Sequence, residues 1–209
     1  MSSKRHIPPA GEVRAEDRDT VEREVPEGIL DATRASVLAV GVRRTTLTDV
    51  ARRAGVSRMT VYRLVPDVTT LILEVMSREF ARILGSAEAA ARRRRTARAR
   101  LAATAVAVIR QLHDDQLFSR VVDVDPELLL PYLTDRLGTT QRFAIAHVRR
   151  MLAEGQADGS VRRGDLDTMA TTLVLMLTPV ATSGRLLDGA GRDEVLAEVE
   201  RVVDGALRP

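Results

Sequence analysis

Between Leu47 and Leu64 the chain reads LTDVARRAGVSRMTVYRL, and its apolar positions fall into two short helical stripes separated by a single glycine. At about 100° per residue, Leu47, Val50, Ala51 and Ala54 share one face of a first helix, and Thr48, Asp49, Arg52 and Arg53 share the other. Thr46 stands three residues before Asp49, the spacing of an N-terminal capping signal. Gly55 suits the left-handed residue that ends a helix, because it has no Cβ to clash. Ser57 is a ready N-cap for the second helix, worth about 1 kcal/mol over alanine. On that helix Val61, Leu64 and Val65 form a narrow apolar wedge, opposite Arg58, Met59, Tyr62 and Arg63, with Thr60 at the border. Neither stripe is long enough to hold a helix by itself. The two must pack on each other and on the helix before them, which predicts a helix-turn-helix.

The same reading extends outward. Ile29, Thr33, Val37 and Val40 make one stripe, with Leu30 and Leu38 alongside, and Gly41 ends it. A longer helix is expected from Asp67 to Ala91, until the run of arginines at 92–95 breaks the pattern. Further helices are expected near 97–113, 116–123, 127–136, 139–157, 166–186 and 193–207, punctuated by Asp125-Pro126, residues 156–160 and residues 189–191. Residues 1–25 are interrupted by proline or densely charged with both signs, and read as a flexible tail. The fold class is therefore all-α. Its organisation is a tail at 1–25, a helix-turn-helix domain at 26–66, a linking helix at 67–91 and a helical domain at 92–209.

Two of these helices carry more apolar surface than a single core contact needs. From Met169 to Leu177 the chain is apolar nearly all round, which suits a helix packed on several sides. The last helix carries Val195, Leu196, Val199, Val202 and Val203 on an otherwise charged segment. An isologous homodimer is expected through this pair, with Leu173, Leu177, Val195, Val199 and Val202 as its contacts. The alternative is that both helices close a monomeric core.

Composition narrows the chemistry. Of 209 residues 44% are hydrophobic but only 2% are aromatic, so the core is aliphatic. There is no cysteine, which excludes disulfides, cysteine-ligated zinc and thiol nucleophiles and suits a reducing compartment. The N-terminus lacks the apolar segment of a signal peptide. The longest uncharged stretch, 168–184, is too short and too rich in threonine for a membrane span. A soluble, cytoplasmic protein with no membrane partner is expected. No G-x-S-x-G, H-E-x-x-H or phosphate-binding glycine loop is present. His113-Asp114-Asp115 has no second histidine at ligand spacing and reads as a solvated helix end. No catalytic residue, metal or cofactor is expected. A small enzyme without a recognisable motif, or a helical interaction adaptor, is the alternative class.

Charge adds the strongest functional hint. The net charge of +3 says little, but from Arg43 to Arg63 the only acid is Asp49, against Arg43, Arg44, Arg52, Arg53, Arg58 and Arg63. Arginines, hydroxyls and the positive N-terminus at Ser57 suit phosphate oxygens. Arg58 has the chemistry to pair with guanine in the major groove, and Met59 or Thr60 to touch a thymine methyl. The bland alternative is an αα-corner with a solvated basic face.

These residues resemble the tetracycline-repressor (TetR) family of bacterial transcription regulators, from GILDATRASVLAVG through TTLTDVARRAGVSRMTVYRLV to Pro66 and Leu71. QADGSVRRGDLD is similar to the family's connection between its seventh and eighth helices. The resemblance implies a three-helix DNA-binding domain, a linking fourth helix, and a helical domain for effector binding and dimerisation. It implies a ligand-responsive repressor that binds a pseudo-palindromic double-stranded operator as a homodimer. By position, Thr46 would bond phosphate, Arg58, Met59 and Thr60 would face bases, and Tyr62 and Arg63 would grip the backbone. Arg44, Thr48 and Ser57 complete the expected DNA-facing set. The chain departs from the pattern twice: Val65 replaces the usual aromatic before the proline, and Val68 the usual phosphate-touching lysine. Arg44 or the Lys4-Arg5-His6 arm would have to compensate. An effector pocket is implied in the same way, with Phe118, Tyr132, Phe143, His147, Met151, Met169, Thr172 and Met176 as lining candidates, and plain core packing is the other reading of each. With so few aromatics and no acid among them, the expected effector is a lipophilic small molecule.

Overall fold

The computed structural model describes residues 24–124, 126–131, 137–187 and 191–209, and among them the chain is helical with no strand. Most of the predicted tail and Tyr132 lie outside the described residues. The helices are α1 (Glu27–Val40), α2 (Leu47–Ala54), α3 (Arg58–Tyr62), α4 (Val68–Ala91) and α5 (Ala97–Asp114). They continue with α6 (Gln116–Val124), a 3-10 turn (Pro126–Leu128), α7 (Thr139–Ala157), α8 (Leu166–Thr182), α9 (Gly184–Leu187) and α10 (Arg192–Ala206). Short polar side chains start several of them by accepting a backbone N–H of the first turn. Asp67 takes Thr70 N at 2.7 Å, Thr96 takes Ala99 N at 3.2 Å, and Asp165 takes Thr168 N at 2.8 Å.

Two apolar cores form. The first gathers Val37, Val50, Ala51, Val61, Leu71, Ile72 and Val75 from α1–α4. Leu117 and Val121 of α6 also sit inside it, fully buried. The second joins Leu101 and Ala102 of α5, Met151 and Leu152 of α7, Met169, Ala170 and Leu173 of α8, and Val203 of α10. Between them α4 and α5 pack lengthwise, with Phe80, Ile83, Leu84 and Ala87 against Val108 and Leu112. The turn after α7 folds back tightly at Gly155, where a Cβ would stand 2.2 Å from Val161 Cγ2.

Two expected helices differ from their predicted extents. The helix expected at 127–136 begins as the 3-10 turn Pro126–Leu128, and 132–136 lie outside the described residues. The helix expected at 166–186 stops at Thr182. Pro179 already removes one ladder donor there. Side chains then take the remaining carbonyls: Thr182 Oγ1 donates to Thr178 O and Pro179 O, and His113 Nε2 lies 2.9 Å from Val180 O. With these acceptors engaged the backbone breaks at Ser183, and α9 starts afresh.

Candidate functional site

The α2–α3 unit is built by local hydrogen bonds. Thr46 Oγ1 accepts Asp49 N at 3.1 Å and donates to Asp49 Oδ2 at 2.7 Å. These bonds and one from Arg52 hold the Asp49 carboxyl below its ordinary value. Gly55 ends α2 in the left-handed region, at φ 69°, and the next N–H, Val56, reaches back to Ala51 O at 3.0 Å. Ser57 Oγ accepts Thr60 N at 3.1 Å and shares a proton with Thr60 Oγ1 at 2.9 Å. The two hydroxyls carry two protons and their mutual bond uses one. One O–H is left to point outward.

The packing fixes which face α3 presents. Val61 is fully buried against Val50 and Ala51, so Arg58, Met59, Tyr62 and Arg63 stand in solvent. Met59 is 67% and Tyr62 53% exposed, a large apolar area for a helix of five residues. Among the described residues no acid pairs with Arg53, Arg58 or Arg63, whereas Arg52 bonds Asp49 at 3.2 Å. Arg44 is exposed and donates to Val40 O at 3.2 Å. Thr48 is half-buried beside this face. Val65 is buried and Val68 half-buried in the first core, so both departures from the family pattern are spent on packing. The structure thus brings together the basic and hydroxyl residues nominated from sequence. It adds that Thr46 has its proton already engaged with Asp49.

The second feature is a cavity of about 830 Å³. Its walls come from Phe80 and Leu84 of α4, Val108 and Leu112 of α5, Phe118 of α6 and Leu177 of α8, among others. Of the lining candidates from sequence, Phe118 and His147 stand in its wall. Phe143 sits outside, edge-on to Phe80 with ring centroids 6.4 Å apart. Met151 and Met169 are buried in the second core instead, and Thr172 and Met176 face solvent. The expected dimer contacts are likewise divided. Leu173 points into the core, Leu177 into core and cavity, and Val195 and Val199 are half-buried, while Val202 is exposed.

The cavity also uses Thr104, Ser119 and Thr178, which the sequence did not single out, and His113, which it read as part of a helix end. The solvated helix end expected at His113–Asp115 is a structural junction instead. His113 is half-buried against Val180, and Asp114 pairs with Arg192 at 2.9 Å. Asp115 caps α6 through Leu117 N at 2.9 Å and lies 3.6 Å from Arg82. Among the described residues no three acidic or histidine side chains are placed to hold a metal ion, and no helix is long and apolar enough to cross a membrane.

A capped two-helix corner that offers unpaired arginines, a free hydroxyl and exposed Met59 and Tyr62 has the chemistry of a helix-turn-helix DNA reader. Comparison with known proteins agrees. The sequence profile of the bacterial regulatory proteins of the tetR family matches residues 29–66. An uncharacterized HTH-type transcriptional regulator of Mycobacterium tuberculosis is 34% identical over 180 residues, which cover 86% of this chain and 92% of the relative. Among solved structures, the TetR family repressor AlkX from Dietzia sp. strain DQ12-45-1b superposes with a TM-score of 0.66 at 18% identity, over 85% of this chain and 92% of that one. RolR in complex with the ligand resorcinol gives 0.62 at 16% identity, over 87% and 93%. The chain belongs to the tetR family of bacterial regulatory proteins. It is a DNA-binding transcriptional regulator, not an enzyme.

Proposed function

We propose that this regulator is a cytoplasmic repressor that binds a pseudo-palindromic operator as a homodimer and lets go when a small apolar molecule fills the cavity. The observation that carries the reading is the double position of α6. Leu117 and Val121 are fully buried in the core of the α1–α4 unit, while Phe118, Ser119 and Val122 line the cavity. An occupant that displaces one face of α6 must move the other against α1. Arg43 bonded to Glu127 at 2.6 Å ties the same region to the reading head, and Arg82 beside Asp115 ties it to the link. Such coupling requires an occupant that binds the two arrangements with different affinity. That RolR is seen with the ligand resorcinol and that AlkX is a repressor support this assignment.

In this reading residues 26–66 are the reading head, 67–91 the link, and 92–209 the effector and dimer domain. Helix α3 enters the major groove with Arg58 and Met59 toward bases, and Tyr62 and Arg63 take the backbone. The spare proton of the Ser57–Thr60 pair, Thr48 and Arg44 reach phosphates. Thr46 serves chiefly as the α2 cap.

The dimer face is Thr172, Leu175, Met176 and Pro179, one stripe of α8 at helical spacing, joined by Val202. Leu175, Met176 and Val202 are each about half exposed or more, and an exposed apolar stripe of this kind calls for a cover. Two copies related by a twofold axis supply it and set two α3 helices about one DNA turn apart, ~34–36 Å.

The test is footprinting of the purified protein on DNA of its own genome, beginning with the flanks of its own gene. Protection of a short inverted repeat is the expected result. Binding to every fragment alike, with no protected sequence anywhere, overturns the operator reading.

A further inference from the structure

The arginine run at 92–95 belongs to neither core and does not line the cavity. All four side chains are exposed, and Arg94 meets an acid, Glu200, at 3.2 Å. Arg92 feels the Glu88 carboxylate, which is itself bonded to Arg150 at 2.9 Å. Among the described residues Arg93 and Arg95 pair with no acid.

The run is firmly mounted. Thr96 caps α5 directly after it, and the first turn of α5 is tied to two other segments. Ala97 N donates to Asp158 Oδ2 at 2.8 Å, and Arg98 N to Ser160 Oγ at 3.2 Å. Arg98 Nη1 donates to Asp204 O at 3.0 Å, and Arg162 N to Leu207 O at 2.9 Å. These bonds gather the run, the loop after α7 and the end of α10 at one pole, with Arg98, Arg162, Arg163 and Arg208 beside it. The acids there are engaged. Asp204 pairs with Arg98 and Arg208, Asp158 accepts from Ala97 N and Ser160 N, and Asp165 accepts from Thr168 N. Arginines outnumber these acids, and Arg163 is exposed and meets none of them.

This pole stands far from the reading head. Helix α4 starts in the first core with Val68, Leu71 and Ile72 and continues for 24 residues before the run begins, about 36 Å at 1.5 Å per residue. Val61 points into that same core, so a duplex on the outer face of α3 lies beyond the head and out of reach of Arg93.

We propose that this pole is a second, sequence-independent DNA site, which holds a separate stretch of duplex by its phosphates while α3 occupies the first. Guanidinium forks match phosphate oxygens in pairs. An interface with an acidic protein needs apolar or aromatic anchors as well, and no exposed large hydrophobic side chain belongs to residues 92–96, 158–164 or 204–209. A protein already seated on DNA meets other stretches of the same molecule at high effective concentration, so a few phosphate contacts suffice.

The test uses the full-length protein, a short bead-bound duplex and a free fluorescent duplex of unrelated sequence. Wild type is expected to retain the free duplex on the beads at low salt. With Arg93, Arg95 and Arg163 each on a phosphate, retention should fall about forty-fold between ~50 and ~200 mM salt. Arg93→Glu combined with Arg95→Glu should cut retention by about ten-fold or more, yet bind the bead-bound duplex within about two-fold of wild type. Arg163→Glu, on a different segment, should lower retention several-fold and serves if the double variant does not fold. Equal retention by wild type and either charge-reversed variant overturns the proposal, because the reading heads would then be joining the duplexes. Loss of bead binding by the folded double variant overturns it too, because the run would then serve the first duplex. No retention by the wild type also overturns it and leaves the pole to an acidic protein.

Discussion

Arg58 and Arg63 both stand exposed on α3 without an acidic partner among the described residues, but the groove asks different things of them. A side chain at the first turn of a recognition helix meets base edges, and one at its end meets the phosphate backbone. Arg58→Ala should therefore relax preference at one base pair of each half-site by about 1–3 kcal/mol. Arg63→Ala should weaken all duplexes alike and reduce the slope of log K against log salt by about 0.9. Binding titrations on operator and scrambled DNA at several salt concentrations separate the two. The local frame can be probed as well. Ser57→Ala removes the cap on Thr60 N, a loss of about 1 kcal/mol. Gly55→Ala meets no neighbouring atom but is forced to keep φ 69°, at a cost of roughly 1–2 kcal/mol. Each should lower Tm by a few degrees, about 2–4 °C per kcal/mol in a chain of this length, as scanning calorimetry would show. These features were legible in the sequence because caps and turn glycines act over three or four residues. The engagement of the Thr46 hydroxyl by Asp49 was only half legible, since the spacing showed the cap but not which atom holds the proton.

Helices α1 and α4 meet around a charged knot that no short-range pattern announces. Glu79 is nearly buried, with Arg78 at 2.8 Å, Arg82 at 2.9 Å and Arg34 at 3.9 Å, and Arg78 also holds Glu27 at 2.7 Å and Asp31 at 2.8 Å. Burial works against the Glu79 charge, but hydrogen bonds from Arg82 and Arg78 outweigh it and hold the carboxyl below its ordinary 4.5. A lowered folded value means that the stabilisation is fully present above pH 4.5 and is lost as pH falls from there through the folded value. Glu79→Gln should be less stable at neutral pH by about 2 kcal/mol and should show a shallower loss of stability on acidification below the ordinary glutamate range. Denaturant unfolding at a series of pH values checks both. The partners of Glu79 come from a residue 45 positions upstream as well as from its own helix, and such distant pairings leave no periodic trace. Helix α8 shows a different limit. Its sequence is apolar on every side, so periodicity could not say that Leu173 and Leu177 turn inward while Leu175 and Met176 turn out. For that reason the pocket nominations Thr172 and Met176 turn to solvent, while the dimer nominations Leu173 and Leu177 turn inward. Met151 and Met169, cavity-lining candidates for which plain core packing was the other reading, fill the second core.

The exposed stripe of α8 and Val202 make assembly the property that links these parts. Met176→Asp places a charge on the outer face without touching either core, so folding should survive and pairing should not. Light scattering should then give a mass near 22.9 kDa for the variant and twice that for the wild type. Operator affinity should fall with it, because each reading head alone makes too few contacts for useful binding. A variant that remains dimeric would place the interface elsewhere. The succession of helices, and the break between α4 and α5 at the arginine run 92–95, were visible from lengths and punctuation alone. The insertion of α6 into the first core was not, because Leu117 and Val121 join core residues that lie 41 or more positions upstream. The most direct measurement is selection of duplexes from a random-sequence pool by the wild type and by Arg58→Ala in parallel, followed by sequencing. The expected result is an inverted repeat from the wild type, and the same repeat from the variant with one symmetric position in each half-site left unspecified. A wild-type pool with no twofold motif, or identical motifs from both proteins, would contradict a dimer that reads DNA through α3.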